Sequence, residues 1–125
     1  MYILISTTTD TKEKAQEIAN SLIDKKLAAC VQIDAVQSFY MREWKLISPI
    51  LVPPDKEGGP LAVGGLEEKD GIEYRLAIKT KDTFFDDIAV QIRMLHTYKI
   101  PEIIATPITF ITESYAQWME SVLKE

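Results

Sequence analysis

Two hydrophobic periods alternate along this chain, and their order constrains its fold more than any single motif does. Residues 2–8 read as a strand: Ile3 and Ile5 share one face, Tyr2 and Leu4 the other. A helix follows, with Ala15, Ile18, Ala19, Leu22 and Ile23 at three- and four-residue spacing. Asp10 is its expected N-cap and Glu13 the partner three residues on. Residues 29–34 form a second strand, which 37–46 continue past a bend. In it Ala29, Val31 and Ile33 oppose Cys30 and Gln32. Residues 71–79 alternate as a third strand, and Phe85, Ile88, Ile92 and Leu95 stripe a second helix. Residues 103–110 give a fourth strand, in which Pro107 points to an edge or a bulge. A last helix is expected to start at Ser114, with Gln117 as capping partner and with Tyr115, Trp118, Met119 and Val122 facing inward. The order is β-α-β-β-α-β plus a C-terminal helix. It predicts an α+β, ferredoxin-like fold: an antiparallel sheet with two helices on one face. If Ile3 and Ile5 meet the helices, Tyr2 and Leu4 lie on a bare, half-apolar face. Small domains hide such a face in an oligomer.

Residues 1–125 are read as a single domain, interrupted once. Four of the six prolines (Pro49, Pro53, Pro54, Pro60) and four of the five glycines (Gly58, Gly59, Gly64, Gly65) fall within 48–70. Prolines remove ladder donors and glycines weaken helices, so this segment is read as an exposed insertion at a hairpin tip. The net charge of −5 argues against nucleic acid, which demands a basic stripe. No apolar run reaches the length of a membrane span. Cys30 is the one cysteine, which excludes an internal disulfide and suits a reducing compartment. The expected location is the cytoplasm.

Chemistry concentrates in 95–104, where the second helix gives way to the fourth strand. This stretch holds the only histidine, His96, together with Tyr98, Lys99 and Glu102 around Pro101. An imidazole suits Cu(II) or Zn(II), yet a histidine at a helix C-terminus also caps free carbonyls. Cys30 reads either as a small buried hydrophobe or as a soft ligand for Cu(I). Glu102 reads as a metal ligand or as one half of an interface ion pair. The adjacent carboxylates of Asp86 and Asp87 diverge on a helix and form no acid/base pair.

Three segments resemble the CutA divalent-cation tolerance family: Leu27-Ala28-Ala29-Cys30-Val31-Gln32-Ile33; Ser38-Phe39-Tyr40 with Ile78-Lys79-Thr80; and His96-Thr97-Tyr98-Lys99-Ile100-Pro101-Glu102-Ile103-Ile104. The resemblance implies a ferredoxin-like homotrimer joined through its sheets, which binds copper or other divalent cations and takes part in metal tolerance. It makes His96, Cys30 and Glu102 the ligands to test, and Tyr40, Lys79 and Tyr98 the residues lining clefts between subunits. Gln32 stands where the family usually has Asn, and Lys99 replaces an acidic residue, which sets a cation beside any metal site. The chain carries no phosphate-binding glycine loop, no Gly-x-Ser-x-Gly and no metalloprotease helix motif, so the expectation is a protein that is not an enzyme. The alternative is a trimeric signalling or scaffold module. It would bind a small molecule or a protein at its inter-subunit clefts, with 48–70 as the recognition loop.

Overall fold

The computed structural model describes residues 1–42, 45–47 and 71–125, and for 42 and 45–47 it describes the backbone alone. The expected insertion at 48–70 lies outside the described residues. The elements run β1 (Tyr2–Thr9), α1 (Lys12–Asp24), β2 (Cys30–Gln37), β3 (Tyr40–Arg42), β4 (Lys45–Ile47), β5 (Ile72–Lys81), α2 (Phe85–Leu95), β6 (Ile104–Pro107) and α3 (Glu113–Val122). Four strands form one sheet in the order β2-β5-β1-β6, and β1 runs antiparallel to both β5 and β6. Each β-α-β crossover therefore skips a strand, which is the ferredoxin-like arrangement expected from the element order.

Contacts divide the chain into two units, 1–34 with 74–125, and 35–73. The first holds the core. Ile3, Ile5, Thr7 and Thr9 face the helices and pair with Thr80, Ile78, Leu76 and Tyr74. Ala15, Ile18 and Leu22 of α1, with Ile88, Ala89 and Ile92 of α2, close over them. The predicted stripes face inward, with Ala19, Phe85 and Leu95 half-buried at their margins and Ile23 42% exposed. Helix α3 joins this core through Met119, which is fully buried, and Leu123. Trp118, expected inside, is 42% exposed.

In the second unit the Ser38 N–H donates to the Gly71 carbonyl, and β3 pairs with β4 as a short antiparallel ribbon. The expectation of one bent strand over 37–46 is corrected here. The chain reverses, so that Tyr40 faces Ile47 and Met41 faces Leu46.

Both expected caps shift. Thr11, not Asp10, caps α1: its hydroxyl accepts from the Lys14 N–H at 3.1 Å, while Asp10 is spent elsewhere. Thr112, not Ser114, caps α3 and accepts from the Tyr115 N–H. Gln117, the expected capping partner there, donates instead to Glu113 one turn back. Helix α1 ends in a Schellman motif, with Leu27 N–H on the Leu22 carbonyl and Lys26 N–H on Ile23. Lys26 occupies the left-handed position at φ 59°, where glycine is the usual choice, so composition gave no stop signal.

Candidate functional site

Helix α2 runs into its last turn with Ile92 buried, and the backbone N–H of His96 closes that turn on the Ile92 carbonyl. His96 itself is extended (φ −77°, ψ 148°), so the chain turns away and its ring swings toward the end of β1. Nε2 lies 2.6 Å from the carbonyl oxygen of Thr8. Nδ1 lies 2.9 Å from the Tyr98 N–H. An amide can only donate and a carbonyl can only accept, so the two partners fix the tautomer: Nε2 carries the proton and Nδ1 the lone pair. The rings of His96 and Tyr98 sit 4.6 Å apart. Thr97 adds a third tie, its hydroxyl donating to Asp10 at 3.1 Å. The corner is therefore bound to the β1–α1 junction at Thr8 and Asp10, both more than eighty positions away in sequence.

Glu102 is exposed and lies two residues before Ile104, which pairs with Ser6. That pair is the last rung of β6 on β1, so Glu102 lies outside the ladder, in the connection that runs from α2. Cys30 is elsewhere. It opens β2 as a half-buried free thiol, beside Ala29, whose N–H donates to the Lys79 carbonyl at 2.9 Å. Lys79 in turn pairs with Leu4. Two strand spacings across and about three residues along put Cys30 on the order of 14 Å from the Thr8 carbonyl. Two ligands of one metal ion need their donor atoms within about 4 Å of each other. Cys30 therefore does not reach the His96 ring within one chain. Among the described residues, no three His, Cys, Asp or Glu side chains gather as a metal-binding group.

Lys79, half-buried, holds its ammonium 5.6 Å from the centre of the Tyr115 ring. Tyr98 is half-buried against His96. Tyr40 belongs to the second unit and is 42% exposed.

The sheet face opposite α1 and α2 is partly covered by α3. Glu120 accepts from the Tyr2 hydroxyl at 2.6 Å and from Lys81 at 3.1 Å. These donors hold the Glu120 carboxyl below its usual range, and the same bond pushes the Tyr2 phenol up. The rest of that face is a shallow depression lined by Leu4, Ser6, Gln32, Ile33, Asp34, Arg75 and Ala77. Arg75 spans it in a two-pronged pair with Asp34, at 3.3 and 2.9 Å. Sequence reading missed Thr8 and Asp10 as partners of the corner, and also the Arg75–Asp34 pair. No local signal marks them, because each is defined by strand register.

The sequence model of the CutA1 divalent ion tolerance protein family matches residues 3–47 and 64–122. A chloroplastic CutA protein of Arabidopsis thaliana is 29% identical over 120 residues, 95% of this chain and 54% of that protein. The chain thus spans about half the length of this plant relative. The solved structure of a protein described as the periplasmic divalent cation tolerance protein CutA of Archaeoglobus fulgidus superposes with a TM-score of 0.79 at 26% identity, covering 99% of this chain and all of that one. A CutA1 from the psychrotrophic bacterium Shewanella superposes with a TM-score of 0.78 at 30% identity, over 99% and 96% of the two chains.

Proposed function

The chain belongs to the CutA1 divalent ion tolerance family, and we propose that it serves metal tolerance as a non-enzymatic homotrimer that binds divalent cations, copper foremost. The cation is the ligand this protein handles, not a resident cofactor. The match to the family over both halves of the chain carries this reading. The distribution of apolar surface supports the assembly. Ile100 is 86% exposed, Ile104 56% and Phe110 91%, all on or beside the edge strand β6, and the depression around Leu4 adjoins them across β1. Exposed apolar groups along a sheet edge and an open face suit burial against further copies of the chain.

The candidate ligands fit the same picture. His96 and Glu102 both belong to the α2–β6 connection and would offer one imidazole and one carboxylate, a partial set for Cu(II). A second subunit would complete it, with Cys30 as the further candidate ligand, and Tyr40, Lys79 and Tyr98 are assigned to the lining of the inter-subunit clefts. In this reading the cytoplasm is where a reduced Cys30 thiol would persist.

Calorimetric titration of Cu(II) into metal-free protein, beside His96→Ala and Cys30→Ser, tests the reading. Saturable binding near one ion per chain, weakened in at least one variant, is the expected result. Weak heats without a defined stoichiometry in all three proteins would overturn it. Sedimentation of the same samples checks the trimer, and a monomer throughout would remove the shared site.

A further inference from the structure

Strand β5 sends Arg75, Ala77, Lys79 and Lys81 to the open side of the sheet, opposite Thr8, Ser6, Leu4 and Tyr2. Helix α3 attends to two of these cations: Lys81 is taken by Glu120, and Lys79 lies against the Tyr115 ring. Arg75 lines the depression instead, and its partner comes from β2. Its guanidinium donates to both carboxylate oxygens of Asp34, at 3.3 and 2.9 Å. Arg75 and Asp34 are the one cation and the one anion among the described residues of that lining. The depression is therefore neutral, while the chain as a whole carries −5. Leu4, Ile33 and Ala77, each half-buried, supply its apolar part.

Copies of a chain with a net charge of −5 repel one another, and they approach most easily through a surface without net charge. Symmetry adds a condition. Every subunit of a homo-oligomer brings the same groups to the contact, so an unpaired Arg75 would be desolvated once in each. Asp34 removes that cost within each chain, before any contact forms. In the isolated chain the pair achieves little. The side chains of Arg75 and Asp34 are 49% and 55% exposed, and an exposed pair adds little to folding. Two-pronged geometry matters most where water is excluded, because it leaves few polar atoms to be desolvated without a partner.

We infer that the Arg75–Asp34 pair is the neutralising element of the subunit interface, closed within one chain and covered by the next. This assigns the open depression to a second copy of the chain, and it rests on the homotrimer proposed above. Removing either partner leaves a lone charge under the neighbouring subunit and weakens assembly. Removing both leaves an apolar surface, which assembles.

The test compares the parent chain with Arg75→Leu, Asp34→Leu and the double variant at neutral pH. Fluorescence-detected sedimentation from nanomolar to micromolar chain reads assembly, and far-UV circular dichroism reads folding. Each single variant should assemble at least about a hundredfold more weakly than the parent, and the double variant should return to within about tenfold of it. Single variants that fail to fold beside an assembled double variant count as lost assembly, since a half-exposed pair does not by itself decide whether a chain folds. Single variants that assemble within about threefold of the parent overturn the role of the pair and leave the homotrimer standing. A double variant that is as weak as the single ones, or that does not fold, overturns it as well. A parent that stays monomeric throughout overturns the homotrimer, and the role of the pair with it.

Discussion

Replacing His96 by alanine removes both hydrogen bonds of its ring at once, and the structure sets the size of the effect. Two hydrogen bonds disappear, at 2.6 and 2.9 Å, and the Thr8 carbonyl and Tyr98 N–H lose their partner. A net value of roughly 0.5–1.5 kcal/mol per bond gives about 2 kcal/mol together. The half-buried setting lets water replace part of each bond, which keeps the cost below that of fully buried groups. Asparagine offers a finer cut. Its short amide can present Oδ1 to the Tyr98 N–H, as in an Asx turn, but cannot reach Thr8 as the ring does. His96→Asn should therefore cost about half as much, roughly 1 kcal/mol. Urea unfolding of metal-free protein at one fixed chain concentration measures this, because concentration shifts the midpoint of any oligomer. With a slope of about 2 kcal/mol/M, the alanine variant should unfold about 1 M earlier in urea than the parent. An alanine variant within about 0.5 kcal/mol of the parent would refute the reasoning, since neither bond would then be contributing. Equal losses in Ala and Asn would assign the stabilisation to the Thr8 bond alone.

Three further outcomes follow from the same geometry. Met119→Ala empties a fully buried site beneath α3 and should cost about 3 kcal/mol in the same unfolding assay; a loss under about 1 kcal/mol would mean that α3 is not docked on the core as described. Lys26→Gly relieves a non-glycine residue at φ 59° and should stabilise the fold by roughly 0.5–1 kcal/mol, provided the Schellman turn forms, and a destabilised variant would contradict that turn. Glu120 titrates below its ordinary value because Tyr2 and Lys81 donate to its ionised form, so its contribution is complete above about pH 4.5 and is lost as pH falls through the lowered value. Tyr2, raised by the same bond, contributes below about pH 10 and loses its contribution as pH rises through its folded value. Melting temperature against pH should accordingly fall more steeply on the acid limb in the parent than in Glu120→Gln, and parallel curves would sink that assignment.

Much of the fold was legible because burial imposes a period. Ile3 and Ile5 on one side of β1, Ala15, Ile18 and Leu22 on α1, and Ile88 and Ile92 on α2 declare their inward faces in sequence, and those faces are the buried ones. The caps were misplaced by one or two residues because Asp10, Thr11, Thr112 and Ser114 are chemically interchangeable in that role. Helix α3 showed its limit differently. Tyr115, Trp118, Met119 and Val122 share one helical stripe, but only Met119 is fully buried, since the width of the stripe covered depends on what packs against it.

By itself the sequence determined the β-α-β-β-α-β order of the main sheet and its helices, the inward faces of β1, α1 and α2, and the kinship of the chain, because these are written in local spacing. It also fixed that a single imidazole and a single thiol would be present. Only the tertiary structure decided what those groups can do. The strand order puts Cys30 on β2, two strands away from β1, whose Thr8 holds the His96 ring. The ends of β1 and α2 meet so that one ring satisfies a carbonyl from Thr8 and an amide from Tyr98. Hydrogen-bond partners separated by most of the chain leave no periodic trace in sequence, since they are set by where strands come to lie and not by what stands next to them.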